Sequence, residues 1–256
     1  MQKRPRLKVI GSPFLWQGLM GFFLVERPLA QGERFELAGE EALHLLGSRR
    51  IRIGEEVEVQ DPQGHRFLAT VLSKERKSLE LLNTKELVPP AEPKFRLWLH
   101  QAIVKEKALD WILQKSVELG AAGVFLFETE HSQPLPQGEE RTHRLERWHK
   151  ILWEACKQSG RHRPPVLTLS AVSPLGQAFD QPAFVFDPYR PPTSLKNLTL
   201  ESQGAHLILG PEAGFEPEEL AGFSGHYLGL GPRILRAETA ALAALALFGG
   251  QFGDLE

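Results

Sequence analysis

Five short apolar runs after residue 94 constrain the fold more than any other feature of this sequence. They read FRLWLHQAI, GVFLFET, AFVFD, HLILG and YLGLG, and helix-like segments separate several of them. The runs lack the regular apolar–polar alternation of a strand with one face in water. Strands that are apolar on both faces are typical of a parallel sheet covered by helices on each side. We therefore predict an α/β domain with a parallel sheet over residues 95–256.

A proline-rich stretch divides the chain. LVPPAEPKF contains Pro89, Pro90 and Pro93, which remove hydrogen-bond donors and favour a stiff connector, so residues 89–94 are assigned to a linker. Before it, ERFEL, EEVEVQD and HRFLATVL alternate at period two, and DPQG supplies a turn. Residues 20–88 are therefore predicted to form a small β-rich module with one short helix at GEEALHLL. Residues 1–19 are predicted to be an extension before this module.

Composition excludes several classes of function. The formal net charge is -2, so any contact with nucleic acid must rest on a local basic patch. The single cysteine, Cys156, allows no internal disulfide and no cysteine zinc cluster, so we predict no metal site and a reducing, cytoplasmic location. The basic N-terminus loosely imitates a secretory signal, but Pro13, Gln17 and Gly18 interrupt its apolar stretch. We predict no membrane insertion, because no run reaches the roughly 18 apolar residues that a bilayer requires.

Two segments have the periodicity of amphipathic helices. In KALDWILQKSVELG the apolar face ends at Gly120, a typical stop signal, and consists of Leu109, Ile112, Leu113, Ser116 and Val117. In HRLERWHKILWEACKQSG one stripe consists of Leu145, Trp148, Leu152 and Ala155. Both helices are predicted to pack on the sheet.

A first candidate loop lies in HLILGPEAGFEPEEL. A buried strand ends at Gly210 and Pro211, and a helix is predicted to begin at Pro217, with Glu218 and Glu219 in its first turn. Ligands of open α/β sheets bind beyond the carboxyl ends of the strands, where this loop lies. Taken alone, it is equally a turn that needs glycine for its backbone conformation.

A second loop, LGLGPRILRAET, has the same form and leads into a helix that is apolar on every side and is therefore predicted to be buried. Glu238 complements the dipole of this helix. Arg233 and Arg236 either lie at the surface with their stems on apolar neighbours or point at an anion or at developing negative charge. We favour the second interpretation.

At these residues the sequence resembles a known family. LILGPEAGF and LGPRILRAETAALAAL together are similar to the paired signature of the RsmE-type SPOUT methyltransferases, which modify N3 of a uridine in 16S ribosomal RNA. LDWILQKSVELGA, EACKQSGRHRPP and the early GEEALHLL and RIRIGEEVEV stretches agree in the same order. The resemblance covers the chain from about residue 20 to its end.

The resemblance implies a PUA-like β-barrel followed by a SPOUT domain tied into a trefoil knot, a homodimer, and 16S rRNA or the small ribosomal subunit as partner. It also implies that S-adenosylmethionine lies across both loops. The residues expected to bind it are Asp187, Pro188, Leu209, Gly210, Pro211, Glu212, Gly214, Leu228, Leu230, Gly231, Arg233, Ile234, Leu235 and Thr239.

The resemblance further places the chemistry at Arg236 and Glu238. Attack by uracil N3 requires removal of its proton and stabilisation of the negative charge that results, which is a role for Arg236. Glu238 is either the base or an acidic residue that complements the helix dipole. RNA contacts are expected at Arg49, Arg50, Arg52, Gln158, Ser159 and Arg161. For other cations of the segment, such as Arg144 and Arg147, a solvated helix face is the default interpretation.

Four positions depart from the family pattern: Gly21 and Gly47 replace arginines, Glu106 replaces a glycine, and Ala213 replaces the second glycine of GPEGG. Ala213 disfavours a positive φ and is expected to alter the first loop slightly.

Three alternatives remain open at this stage. An oxidoreductase or kinase is disfavoured, because the sequence has no early GxGxxG and no GK[ST] motif. A non-catalytic RNA-binding protein is disfavoured by the intact RILRAET. A SPOUT enzyme that acts on another RNA position or on ribose is not excluded.

Overall fold

The computed structural model describes residues 21–189, residue 195 and residues 198–255. The extension predicted for residues 1–19 lies outside the described residues. The described chain forms two sheets, one on each side of the proline-rich stretch, and each sheet has its own core.

The first sheet has five strands in the order β1-β3-β4-β5-β2. Their bounds are β1 Phe23–Leu24, β2 Arg34–Ala38, β3 Glu56–Gln60, β4 Arg66–Lys74 and β5 Ser78–Leu87. β1 pairs parallel to β3, and the other neighbours are antiparallel. The predicted short helix is present as α1, Gly39–Gly47. Its buried Ala42 and Leu45 belong to the same core as the inward residues of the strands.

The second sheet has six strands in the order β11-β9-β10-β6-β7-β8, and all neighbours are parallel. Their bounds are β6 Arg96–Ala102, β7 Gly123–Phe127, β8 Val166–Ser170, β9 Ala183–Phe186, β10 Gly204–Leu209 and β11 His226–Leu228. Every residue of β9 and β10 is buried. The predicted parallel α/β sheet is therefore confirmed, and the carboxyl ends of its strands meet at one edge.

The described residues of this second half include the α-helices α2 Glu106–Glu118, α3 Gly138–Ser159, α4 Pro217–Leu220 and α5 Ala237–Phe252, and a short 3-10 helix at Pro174–Gly176. All five residues of the predicted face of α2 are buried, and the helix is followed by Gly120 with φ 75°. Helix α3 buries Trp148, Leu152 and Ala155 as predicted and ends at the left-handed Gly160.

The prediction that α5 is buried on every side is wrong. Ala241, Ala244, Leu245 and Phe248 are buried against the sheet, but 48% of Leu247 is exposed. The described chain therefore covers one side of α5 and leaves apolar surface on the other side exposed.

Side chains of β6 and β10 also build a small core on the face of the second sheet opposite to α5. There His100 Nε2 lies 2.8 Å from His206 Nδ1, and His206 Nε2 lies 3.0 Å from Asp180 Oδ1. Phe125 stacks on His100 with a centroid distance of 4.6 Å. Burial, followed by the neighbouring His206, lowers the pKa of His100 to about 3, and burial also lowers the pKa of His206, so the pair is neutral at physiological pH.

Polar contacts join the two sheets at the end of α3. The buried Arg66 of β4 donates to the carbonyl of Gly160 at 3.0 Å, and Gln60 of β3 donates to the carbonyl of His162 at 2.9 Å. Phe22 lies under the Arg66 guanidinium at 4.0 Å from its ring centroid. Each donor thus finds an acceptor that satisfies it away from water.

A buried ion pair stands beside these contacts. Lys157 Nζ lies 2.9 Å from Glu41 of α1 and 2.7 Å from Glu154, with only 9% of its side chain exposed. Burial opposes the charge of Lys157, but hydrogen bonds to Glu154 and Glu41 outweigh it and raise the pKa of the ammonium group.

Gly21 lies at the same junction and explains one departure from the family pattern. It has φ 85°, and a Cβ at this position would stand 2.5 Å from the carbonyl oxygen of Lys157. An arginine has no room in this backbone, because both the conformation and the close approach demand glycine. Gly47 differs, since a Cβ there would meet nothing within 4 Å.

None of the helices in the described part of the chain combines the length and the apolar character that a bilayer crossing demands.

Candidate functional site

A cavity of about 830 Å³ opens at the carboxyl edge of the second sheet. Its wall combines the ends of β9 and β10, the loops that follow them, and the starts of α2 and α5. Such a crevice is the usual ligand site of an open α/β sheet, and its volume lies within the roughly 300–1,000 Å³ of small-molecule sites.

The first glycine loop forms one side of the cavity. Gly210 packs against Phe215, whose ring would stand 3.1 Å from a Cβ at that position. Gln101 of β6 donates to the Gly210 carbonyl at 3.1 Å and so fixes the loop to the central strand. The loop closes where the Gly214 N–H donates to the Pro211 carbonyl at 3.0 Å.

The replacement at Ala213 does not disturb this loop. The left-handed residue is Gly214, with φ 84°, and Ala213 is not among the residues with positive φ. The glycine that the backbone requires is therefore present. The loop then enters α4, where Glu216 and Glu219 form a capping box.

The second loop reaches the cavity through Ile234, Leu235 and Arg236. Arg236 is the N-cap residue of α5 and is exposed. Its guanidinium has no ion-pair or hydrogen-bond partner within residues 21–189 and 198–255. Glu238 lies in the first turn of α5 and also lines the cavity. An arginine held at a cavity wall without a partner is available to a bound anion.

The strand end at VFDPYR contributes to the same wall, as predicted. The Asp187 N–H donates to the Leu228 carbonyl at 3.1 Å, and its carboxylate accepts from the Tyr189 N–H at 2.9 Å. Pro188 and Tyr189 line the cavity beside it. The turn is thus held by hydrogen bonds on both sides.

The cavity brings together most of the residues expected to bind the cofactor. Those on its wall are Asp187, Pro188, Leu209, Gly210, Pro211, Glu212, Gly214, Ile234 and Leu235. The others lie outside the wall, in or near the second loop: Leu228, Leu230, Gly231, Arg233 and Thr239. Gly231 has φ 90°, a backbone conformation that favours glycine, and Leu228 is buried at the end of β11.

The candidate RNA contacts near the end of α3 do not line the cavity. Ser159 donates back to the Ala155 carbonyl at 2.8 Å. Arg161 is held by Glu92 of the linker, with Nε 2.9 Å from Oε2, and only 11% of its side chain is exposed. Gln158 is exposed. In this arrangement Arg161 fastens α3 to the linker.

The candidate RNA contacts in the first half of the chain follow α1. Arg50 and Arg52 are exposed, and Arg50 has φ 49°, the one positive value among described residues other than glycine. Arg49 is half-buried, and its guanidinium lies 5.7 Å from the centroid of the Phe23 ring. Strained backbone of this kind is found where a functional side chain must be aimed.

Sequence reasoning missed one wall of the cavity. It is the start of α2, which contributes Lys105, Lys107, Ala108 and Trp111. The local signal was a tryptophan outside the apolar face of an amphipathic helix. No sequence pattern showed that this helix start would meet loops a hundred residues further along the chain.

No group of three or more His, Cys, Asp or Glu side chains among the described residues is arranged to hold a metal ion.

Comparison with known proteins assigns a family to this geometry. The family model described as "RNA methyltransferase domain" matches residues 91–249. The Ribosomal RNA small subunit methyltransferase E of Bacillus subtilis is 26% identical over 236 residues, which cover 87% of this chain and 92% of that protein.

Two solved structures share the whole architecture. One is a Ribosomal RNA small subunit methyltransferase E from Neisseria gonorrhoeae bound to S-adenosyl methionine, with 28% identity and a TM-score of 0.80 over 93% of this chain and 100% of that chain. The other is a putative methyltransferase from Legionella pneumophila in complex with SAM, with 28% identity and a TM-score of 0.80 over 91% of this chain and 99% of that chain. The family match over the cavity-forming half and the agreement along nearly the full length show that this chain belongs to the RNA methyltransferase family.

Proposed function

We propose that this chain is an S-adenosylmethionine-dependent methyltransferase that acts on N3 of a uridine in 16S rRNA of the small ribosomal subunit. The observation that carries the proposal is the cavity in which both glycine loops meet Arg236, a cation that pairs with no residue in the described part of the chain. Relatives with the same architecture have been solved with S-adenosylmethionine, and one of them is named as a small-subunit rRNA methyltransferase.

The cavity residues fit S-adenosylmethionine. Phe186, Leu209 and Leu235 supply apolar surface, and Asp187 and Glu212 bring carboxylates that complement its positive sulfonium and amino groups. The backbone of Gly210–Gly214 is open to the cavity, which suits contacts with the edge of a base. When bound there, S-adenosylmethionine supplies an electrophilic methyl group.

Arg236 stabilises the uracil during the reaction. Removal of the N3 proton leaves negative charge on the two ring oxygens, and the guanidinium can donate to that charge from the cavity wall. Its position at the start of α5 adds the partial positive charge of the helix N-terminus. Both effects are larger for the anionic base than for the neutral one, so they favour the transition state.

Glu238 is the proposed acceptor of the N3 proton. It lines the cavity and lies two residues after Arg236, in the first turn of α5. A carboxylate there also complements the dipole of α5, and substitution separates the two roles. Glu238→Gln keeps the shape but cannot accept the proton, so we expect the methylation rate to fall on the order of 100-fold with little change in stability.

The first sheet supports a further part of the proposal. Residues 20–88 form a PUA-like RNA-binding module, and the linker at residues 89–94 joins it to a SPOUT domain over residues 95–256. The exposed Arg50 and Arg52 are its proposed phosphate contacts, which makes binding sensitive to salt. Gln158, Ser159 and Arg161 remain proposed contacts at the end of α3.

Two further features belong to the proposal. A second copy of the chain covers the exposed side of α5, where Leu247 stands 48% exposed, so the enzyme is a homodimer. The segment after β10 is threaded as a trefoil knot, and the protein acts in the cytoplasm.

The test is methylation of small ribosomal subunits isolated from a strain that lacks the gene. Nucleoside mass spectrometry should detect one 3-methyluridine after incubation with the protein and S-adenosylmethionine. Arg236→Ala should lower kcat about 10²- to 10³-fold, the usual cost of losing one charge-stabilising donor. Methylation of ribose or of another base would point to the different SPOUT activity, and binding to the subunits without methyl transfer would refute an enzymatic role.

Arg76→Ala is the matched control, because Arg76 is exposed in the turn between β4 and β5. It removes the same charge away from the cavity. Equal losses in the Arg236 and Arg76 variants would show that overall charge, and not the cavity arginine, determines the rate.

A further inference from the structure

Trp111 lies outside the buried face of α2. The buried face of α2 consists of other residues, and 49% of Trp111 is exposed. At the same time the indole lines the cavity beside the start of the helix. A large aromatic side chain left half in water at a cavity mouth is a candidate for contact with a ligand.

A cation covers part of the indole. Lys115 Nζ lies 5.0 Å from the centroid of the Trp111 ring, one helical turn further along α2. A cation over one ring face leaves the other face for a planar group. The exposed part of the side chain is therefore flat, aromatic surface at the entrance to the cavity.

Two more cations lie on the same wall. Lys105 and Lys107 both line the cavity and are exposed. Within the described ranges, 21–189 and 198–255, neither ammonium group has an ion-pair partner. Aromatic surface interleaved with free cations is the arrangement that proteins use for nucleotides with exposed bases.

The start of α2 is held firmly in place. Arg147 of α3 forms ion pairs with both Glu106 and Asp110 in the first turns of α2. Glu106 is one of the departures from the family pattern, so this chain adds an anchor at the cavity wall. The ion pairs therefore tie the start of α2, which carries Trp111, to α3.

We propose that Trp111 is a positioning residue on which the target uracil stacks, with Lys105 and Lys107 contacting the neighbouring phosphates. This inference rests on the proposed function. A base must leave its stack before an enzyme can reach its ring nitrogen, and a stacking surface at the cavity mouth compensates part of that cost. Trp111 does not take part in the chemistry, which belongs to Arg236 and Glu238.

The experiment compares Trp111→Phe with Trp111→Leu in the full-length protein, with small ribosomal subunits that lack the modification as substrate. Stacking on an aromatic ring accounts for a 10- to 100-fold effect, so Trp111→Leu should lose about that much in kcat/KM. Trp111→Phe keeps a ring and should stay within about threefold of the unaltered protein. The affinity for S-adenosylmethionine, measured by calorimetry, and the oligomeric state should be unchanged in both variants.

The phosphate contacts are tested with Lys107→Gln. This variant should bind the subunits more weakly, and the slope of log K against log salt should decrease in magnitude by about one. An unchanged slope would remove Lys107 from the proposal.

The possible results distinguish failure of the proposed function from failure of the stacking role. Absence of methylation by the unaltered protein would overturn the proposed function itself. An active protein whose Trp111→Leu variant is equally active would overturn the stacking role alone. A variant that loses S-adenosylmethionine binding, or changes its oligomeric state, would also overturn it, because Trp111 would then belong to the cofactor site or to a subunit contact.

Discussion

The buried histidine pair makes the stability of this protein dependent on pH in a predictable direction. His100 and His206 share one hydrogen bond of 2.8 Å, and Asp180 accepts from the second nitrogen of His206. Burial and the neighbouring His206 lower the pKa of His100 from 6.5 to about 3. Protons therefore bind preferentially to the unfolded chain, so stability is complete above pH 6.5 and is lost as the pH falls towards 3.

The size of the effect follows from the two pKa values. One pKa unit corresponds to about 1.4 kcal/mol, so His100 should cost the folded state about 1.4 kcal/mol at pH 5.5 and about 2.7 kcal/mol at pH 4.5. These losses are a sizeable part of a typical unfolding free energy of roughly 5–15 kcal/mol.

His100→Gln tests this reasoning, because the glutamine amide can still donate towards His206 and does not titrate. The free energy of unfolding is measured by urea denaturation at pH 7.5 and pH 5.5. The loss between these two conditions should be about 1.4 kcal/mol smaller in the variant than in the unaltered protein. His149→Gln is the matched control, since it makes the same substitution at a histidine that is exposed on α3 and lies outside the buried pair.

An identical pH dependence in His100→Gln and the unaltered protein would refute the argument. So would a stability that rises on acidification, because that would require the folded state to bind the proton more tightly than the unfolded chain.

Two further predictions concern the junction between the sheets. Gly21→Ala should destabilise the protein by about 1–3 kcal/mol through its positive φ and the clash with a carbonyl, whereas Gly47→Ala should stabilise α1 by up to about 0.5–1 kcal/mol. Thermal denaturation of both variants checks this, and the reverse order would contradict it. Glu41→Gln should cost about 1–3 kcal/mol because it weakens the compensation of the buried Lys157 charge, and Lys157→Met in the same background should recover part of that loss. Urea denaturation measures both steps, and a neutral Glu41→Gln would show that the remaining Glu154 suffices.

The parts of the fold that the sequence predicts are those set by local pattern. Apart from His206, the buried runs of β9 and β10 carry no polar side chain, and the face of α2 repeats at helical spacing, so their burial follows largely from the order of residues. The longest strand of the first sheet, β5, was not predicted. It buries Leu79 and Leu81 but places Asn83 at the next inward position, and Thr84 is its sole β-branched residue.

In the candidate site, too, some parts follow from local sequence pattern and others do not. Glycine and proline fix the backbone of the loops at Gly210 and Gly214, so the loops could be predicted from short segments. The wall that contains Trp111 depends on how α2 packs against α3 and α5, which no short segment encodes. The exposed side of α5 was mistaken for core because alanine and leucine have the same pattern in a core helix and in a helix that faces a partner.

The junction between the sheets has a consequence for how such proteins diverge. Arg66 and Gln60 donate to main-chain carbonyls, at Gly160 and His162, and not to side chains. Every amino acid offers the same carbonyl, so mutation of His162 leaves its half of the contact in place. Substitutions can therefore accumulate in the segment that carries the two acceptors without a matched change in the first sheet.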